Sequence, residues 1–155
     1  MSRAFTKEID DAPPPPLPER PVSAAPNLVT ARGAGQIEAE AAAIERQLGV
    51  AADAREIATL QRDRRYWAAR LASMQVMPAV TAPNAIKFGT AVELRRTGRT
   101  LQMRIVGEDE ADPAAGLIAW TSPLAVALDG AEPGESIEFA AGGRTETIEI
   151  LGVSP

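Results

Sequence analysis

Residues 30–74, TARGAGQIEAEAAAIERQLGVAADAREIATLQRDRRYWAARLASM, space their apolar side chains at the intervals of two successive helices. The first series recurs every three or four residues and comprises Ile37, Ala41, Ile44 and Leu48. The second series keeps the same spacing and comprises Ile57, Leu60, Arg64, Trp67, Leu71 and Met74. Both series occupy the a and d positions of heptads, so each helix is predicted to present one narrow apolar seam. Arg64 interrupts the second seam, and we expect its guanidinium to reach a nearby glutamate while its aliphatic stem packs over Ala41.

Signals for helix ends stand at the limits of these series. Thr30 is a predicted N-cap of the first helix, Gly49 marks its end, and Asp53 is placed to cap the second helix. Glu56 follows Asp53 at the spacing of a capping box. Because only residues 49–53 separate the two helices, they are predicted to fold back as an antiparallel hairpin, a short coiled coil.

The apolar pattern changes to alternation in the C-terminal half. Residues 88–105 alternate across a predicted turn, and a short apolar strand follows at 117–120. Ser122 and Pro123 are predicted to open a brief helix as its N-cap and first residue. The glycine pair at 142–143 then joins two further strands in a hairpin. Five strands and one short helix predict a small antiparallel α+β domain, with the helix covering one face of the sheet.

The composition of the chain predicts three regions. Residues 1–27 contain a run of four prolines at 13–16, which is typical of an extended, flexible leader that builds no core. Residues 28–77 form the predicted hairpin, and residues 78–155 form the predicted sheet domain.

Cysteine and histidine are both absent from the 155 residues. Their absence removes disulfides, thiolate and most zinc sites, and imidazole-based catalysis. The composition therefore favours a binding protein over an enzyme, and we predict no cofactor and no metal site. An acidic group in the C-terminal half lacks the spacing and central glycine of an EF-hand loop, and is predicted to be a solvated loop. It comprises Glu108, Asp109, Glu110 and Asp112.

Charge is distributed unevenly about a net value of −5. Residues 53–76 carry five basic and three acidic side chains, whereas residues 77–155 carry six basic and eleven acidic ones. An acidic body argues against binding to DNA phosphates, so we expect a protein partner and no direct sequence-specific DNA binding. No apolar run approaches the roughly 20 residues that span a bilayer, and the N-terminus has no hydrophobic signal segment. We therefore predict a cytoplasmic protein with no membrane contact.

Three motifs resemble those of one known family. Residues 28–33, LVTARG, resemble LVT-x-x-G; residues 104–112, RIVGEDEAD, resemble RIVG-x-DEAD; and residues 117–125, LIAWTSPLA, resemble I-S-x-x-SP-x-A. Motifs in this order and spacing are those of GreA and GreB, the bacterial transcript-cleavage factors. On this resemblance, which covers residues 28–48 and 64–152, the chain is identified as a member of that family.

The resemblance implies an N-terminal antiparallel coiled coil and a C-terminal domain of FKBP-like fold. In the family, that domain docks at the mouth of the secondary channel of bacterial RNA polymerase, which is the implied partner. The coiled coil enters the channel, where two acidic residues at its tip hold a magnesium ion that promotes hydrolysis of backtracked RNA. The family's polymerase-contacting segment maps here onto Thr121, Ser122 and Pro123, with Thr121 where the family usually has Asp or Asn.

The hairpin departs from the family because several turns of both helices are missing. Asp53 and Glu56 keep a D-x-x-E spacing and are weak candidates for the acidic tip pair, although helix capping also explains them. Carboxylates promote catalysis only when positioned at the reacting phosphate, and this arm is expected to fall short, as in short-armed relatives such as Rnk. We therefore predict a monomeric elongation regulator that binds RNA polymerase at the secondary channel without cleaving RNA, and that is not an enzyme.

Two alternatives stay open. In one, the chain is an active cleavage factor in which Asp53 and Glu56 act with the magnesium of the polymerase. In the other, it is a prolyl isomerase, an interpretation suggested only by the expected FKBP-like fold. Fold does not carry activity, and this domain offers few aromatic residues for a pocket. They are Phe88, Trp120 and Phe139.

Overall fold

Two helices of similar length fold back on each other in the N-terminal part of the chain. The structure, a computed structural model, describes residues 15–155, so residues 1–14 of the predicted leader lie outside the described part. Helix α1 spans Ala31–Leu48 and helix α2 spans Ala54–Ser73. Short strands β1, Leu28–Val29, and β2, Gln75–Val76, flank the helices and pair in parallel, which closes the base of the hairpin.

The predicted caps are present at both helix starts. Thr30 Oγ1 accepts a hydrogen bond from the amide of Gly33 at 2.9 Å, and Asp53 Oδ2 accepts one from the amide of Glu56 at 2.9 Å. Each cap satisfies a backbone donor that has no partner within the first turn of its helix. The chain reverses direction between these helices through residues 49–53, which form the hairpin tip.

The seam of the hairpin buries three of the predicted residues, and most of the others are half-buried. Ile37, Ile44 and Leu60 are buried, and Arg64 lies outside with its guanidinium 2.6 Å from Glu45. Leu71, predicted to lie in the seam, is 38% exposed. The α1 residues on that side include two alanines, Ala41 and Ala42, and a groove lies beside Leu71 there.

The described end of the predicted leader contacts helix α2. Glu19 receives two hydrogen bonds from the guanidinium of Arg65. The guanidinium of Arg20 stacks over the ring of Tyr66, 3.8 Å from its centroid, and a cation in this position is attracted by the π-electrons. Ion pairing and stacking therefore hold residues 19 and 20 against the hairpin, although the proline run before them is typical of a flexible segment.

The C-terminal part is a five-stranded sheet with the strand order β5-β4-β3-β7-β6. Its elements are β3, Ala91–Arg96; β4, Arg99–Val106; β5, Leu117–Ala119; helix α3, Pro123–Leu128; β6, Ser136–Ala141; and β7, Arg144–Ser154. The strands pair antiparallel except β4 and β5, which run parallel and align Val106 with Ala119. The predicted fold class is confirmed: an α+β protein with a helical hairpin, a mostly antiparallel sheet and one short helix.

Helix α3 contributes to the main core. Ala125 and Leu128 of this helix are buried, while the sheet supplies alternating apolar side chains that leave water together with them. The buried residues of the sheet include Val92, Leu94, Ile105, Ile118, Phe139, Ile148 and Ile150. Because this core belongs to the sheet domain alone, the hairpin is held by a separate set of contacts.

Candidate functional site

The hairpin is fixed to the sheet domain where an acidic turn meets helix α2. This turn, residues 108–110, is a short 3-10 helix that follows β4. The guanidinium of Arg70, 2% exposed, donates from Nε to Asp109 Oδ2 and from Nη2 to Glu108 Oε2 at 3.4 Å. A buried cation needs such partners because desolvation of an unpaired charge is costly. We call the contact of Arg70 with residues 108–110 the joint.

The prediction that this acidic group is a solvated loop is wrong for Asp109 and Glu110, although Asp112 is exposed as predicted. The side chains of Asp109 and Glu110 are only 8% and 3% exposed. Thr30 Oγ1 donates to Glu110 Oε2 at 2.6 Å, and Arg32 lies 3.8 Å from Oε1 of the same carboxylate. The carboxylate therefore lies by the first turn of α1, where the positive end of the helix dipole stabilises an anion. Partners distant in the sequence bury these charges.

Tyr66 adds a second hairpin contact to the same turn. Its hydroxyl donates to Asp109 Oδ1, so one carboxylate accepts from both Tyr66 and Arg70. Burial, together with the hydrogen bond to Asp109, raises the pKa of Tyr66 to about 12. The phenol is consequently a neutral donor at physiological pH, and Asp109 is satisfied by two donors from α2.

The residues predicted to contact a polymerase lie together at the start of α3, but they differ in exposure. Ser122 is half-buried and caps the helix by accepting from the amide of Ala125 at 3.3 Å. Thr121 is also half-buried, and its hydroxyl donates to Glu108 Oε1 at 2.9 Å. Pro123 is the exposed member of the three. We call residues 121–123 the docking segment; it is anchored at two residues and open at the third.

Val126 extends this surface and was not anticipated from the sequence. It lies three residues beyond Pro123, nearly one helical turn, and is 62% exposed. Leu128 of the same helix is fully buried, so α3 has one buried face and one open face. The sequence held a signal for this arrangement, because Ala125 and Leu128 are three residues apart on one helical face and Val126 falls outside it.

Asp53 and Glu56 lie at the opposite end of the hairpin from the joint. Both side chains are exposed, and the Asp53 carboxylate is engaged as the cap of α2. Helix α1 has 18 residues. At a rise of 1.5 Å per residue it separates the tip from the joint by roughly 27 Å. The candidate tip pair and the docking segment therefore form two separate surfaces.

Residues 15–155 lack two kinds of feature. Within that range, no three His, Cys, Asp or Glu side chains are grouped so that they could hold a metal ion. Over the same residues, no helix combines the length and the apolar character needed to cross a membrane.

This chain is similar to several known proteins. The family described as "Transcription elongation factor, GreA/GreB, C-term" matches residues 81–155. Transcription elongation factor GreA of Alkalilimnicola ehrlichii is 33% identical over 150 residues, covering 81% of this chain and 95% of that relative. GreA of Rhizobium etli is 48% identical over 71 residues, covering 44% of this chain and 45% of that relative. GreA factor homolog 1 of Thermus thermophilus is a similar solved structure, with a TM-score of 0.41 and 18% identity, covering 84% of this chain and 100% of that one.

The fold and the site define a class of two-part proteins. In this class a helical arm is joined to a small sheet domain, and the two parts present separate surfaces. The chain belongs to the GreA/GreB family of transcription elongation factors. The resemblance inferred from the three sequence motifs is thus confirmed. Factors of this family act with RNA polymerase in the regulation of transcription elongation.

The prediction that the chain is not an enzyme is wrong. The curated relatives are named GreA, the factor that stimulates transcript cleavage by RNA polymerase. The prediction relied on the absence of histidine and cysteine, and on the short arm. Cleavage of the kind implied by the family needs neither residue type, because it uses carboxylates and a magnesium ion.

Proposed function

We propose that this chain is an elongation factor that binds bacterial RNA polymerase at the secondary channel. The sheet domain docks at the channel entrance through the start and the open face of α3, and the hairpin enters the channel. The observation that carries this proposal is the open surface formed by Pro123 and Val126, next to residues that resemble the family's polymerase contact. Removal of such exposed apolar surface from water favours association with a partner.

Replacing Val126 by Glu is expected to weaken binding to core RNA polymerase by about tenfold, because a charge would be desolvated in an apolar contact. Ser122 is a less suitable probe, since its replacement also removes the cap of α3. Binding is measured by fluorescence titration of the polymerase with labelled protein. The matched control is Val22→Glu, which changes another exposed valine, 47% exposed, outside the proposed surface. Equal affinities of the two variants would remove α3 from the interface.

Occupancy of the channel is tested by competition. The protein is added to stalled elongation complexes together with a long-armed GreA, and displacement of the labelled GreA is followed. Displacement that is lost in Val126→Glu supports a shared docking site, whereas simultaneous binding of both factors would contradict it.

A second candidate activity is stimulation of transcript cleavage, favoured by the exposed Asp53 and Glu56 at the hairpin tip and by the relatives' identity as GreA. The shorter arm affects how strongly this chain is expected to stimulate cleavage. The alignment with GreA of Alkalilimnicola ehrlichii extends over 150 residues and covers 95% of that protein. It covers only 81% of the 155 residues of this chain, which is fewer than 150. The relative therefore contains residues that this chain lacks. Because catalysis falls steeply when carboxylates are misplaced, we expect weaker stimulation than from a long-armed factor.

The double variant Asp53→Asn, Glu56→Gln is expected to lower stimulated cleavage by at least about tenfold, because both tip charges are lost. Asn is as good an N-cap as Asp, so α2 keeps its start. Released 3′ fragments from stalled complexes are the measurement, and Glu40→Gln, an exposed carboxylate on α1, is the control. If the cleavage stimulated by the wild type persists in the double variant, residues other than Asp53 and Glu56 are responsible for it. Binding by wild type without any cleavage would contradict this second candidate and leave the docking proposal intact.

A further inference from the structure

The parallel pairing of β4 and β5 brings the docking segment next to the acidic turn. Val106, the last residue of β4, aligns with Ala119, the last residue of β5, and the chain places Glu108 and Thr121 two residues beyond these strand ends. At this position the Thr121 hydroxyl donates to Glu108 Oε1 at 2.9 Å. The single hydroxyl proton of Thr121 is therefore directed into the protein and not toward a partner.

Glu108 bridges two parts of the molecule with its two oxygens. Oε1 accepts from Thr121 in the docking segment, and Oε2 accepts from Arg70 of helix α2 at 3.4 Å. The carbonyl oxygen of Arg70 in turn accepts from Asn27 Nδ2 at 2.8 Å, just before strand β1. A chain of hydrogen bonds consequently runs from the start of α3 to the base of the hairpin.

From this geometry we propose that Thr121 is a positioning residue that acts through Glu108 to set the direction of the hairpin relative to the docking segment. The inference rests on the proposed docking function and departs from it at one residue: Thr121 does not itself contact the polymerase. Pro123 and Val126 form the contact surface, and Thr121 ties that surface to the joint.

A fixed direction matters because the factor engages the polymerase at two places. Once the sheet domain has docked, entry of the hairpin is intramolecular, and its effective concentration depends on how often the hairpin points into the channel. Loss of the Thr121 donor leaves Glu108 Oε1 without this partner and loosens the joint. The hairpin then samples more directions, and part of the binding is lost without any change at the contact surface.

The first test measures the hairpin direction without polymerase. The chain contains no cysteine, so spin labels can be attached at Ala58→Cys on α2 and Thr145→Cys on β7, both exposed positions. Pulsed electron paramagnetic resonance gives the distribution of distances between the labels. Thr121→Val is expected to broaden this distribution, and Thr121→Ser, which keeps the hydroxyl donor, is expected to preserve it. An unchanged distribution in Thr121→Val, with thermal unfolding confirming a folded protein, would overturn the inference.

The second test is a double-mutant cycle on polymerase affinity. Thr121→Val is expected to weaken binding about fivefold, the effect of one hydrogen bond, and Thr121→Ser is expected to bind like wild type. In a Glu108→Ala background the same Thr121→Val change should have no further effect, because the path it acts through is already broken. A fivefold loss that persists in that background would mean direct contact with the polymerase and would overturn the positioning role. Failure of the docking proposal itself is recognised separately, by Val126→Glu binding as well as Val22→Glu.

Discussion

Replacing Arg70 by Met is expected to lower the free energy of unfolding by about 3–5 kcal/mol, because it leaves a nearly buried carboxylate without its cation. Asp109 would keep only the Tyr66 hydroxyl as a donor from the hairpin. Urea unfolding followed by fluorescence is the measurement. The two tryptophans, Trp67 in the hairpin and Trp120 in the sheet domain, report the two parts separately in single-tryptophan variants.

The control for this change is Arg64→Met on the same helix. Arg64 pairs with Glu45, but the two side chains are 58% and 55% exposed. Exposed pairs contribute about 0–1 kcal/mol, so this variant is expected to unfold almost like wild type. Similar losses in the two variants would show that burial of Arg70 does not govern the strength of the joint.

Gly107→Ala is expected to destabilise the protein by about 3 kcal/mol, through overpacking at the contact of the two domains. A Cβ at this position would lie 2.6 Å from the carbonyl oxygen of Leu28 and 3.5 Å from Cα of Val29. Both are backbone atoms, which cannot move aside as a flexible side chain could. Gly107 has an ordinary φ of −68°, so its requirement for glycine is one of space and not of conformation.

Gly35→Ala provides a control of opposite sign. Gly35 lies within helix α1, and no heavy atom lies within 4 Å of a Cβ built there. Alanine loses less backbone entropy than glycine on folding, so this variant is expected to gain about 0.5–1 kcal/mol. Thermal or urea unfolding of the two variants compares a crowded glycine with an open one. A neutral Gly107→Ala would mean that β1 and the acidic turn can separate at little cost.

The local elements were predictable because their signals lie close together in the sequence. The spacing of Ile37 and Ile44 predicts one helix, and Asp53 with Glu56 predicts the start of the next. The contacts between domains were not predictable in this way. Burial of Arg70 depends on Asp109, which lies 39 residues further along the chain, and no periodicity connects the two.

The candidate site shows the same difference between features with a local sequence signal and contacts between distant residues. The resemblance to the family placed Thr121 just before a short helix, and the structure has it there. The direction of its hydroxyl was not predictable, because it follows from the parallel pairing of β4 with β5 in a sheet predicted to be antiparallel. Exposure of Val126 could have been inferred from its place outside the buried face of α3.

The parallel pairing of β1 and β2 also makes the length of the hairpin independent of its attachment to the sheet domain. These strands close the hairpin at its base, while the tip at residues 49–53 makes no contribution to the joint. Seven residues added to each helix near the tip would preserve the seam and extend the arm by about 10 Å. Insertions or deletions near the tip can therefore change the length of the hairpin, while its base stays attached to the sheet domain in the same way.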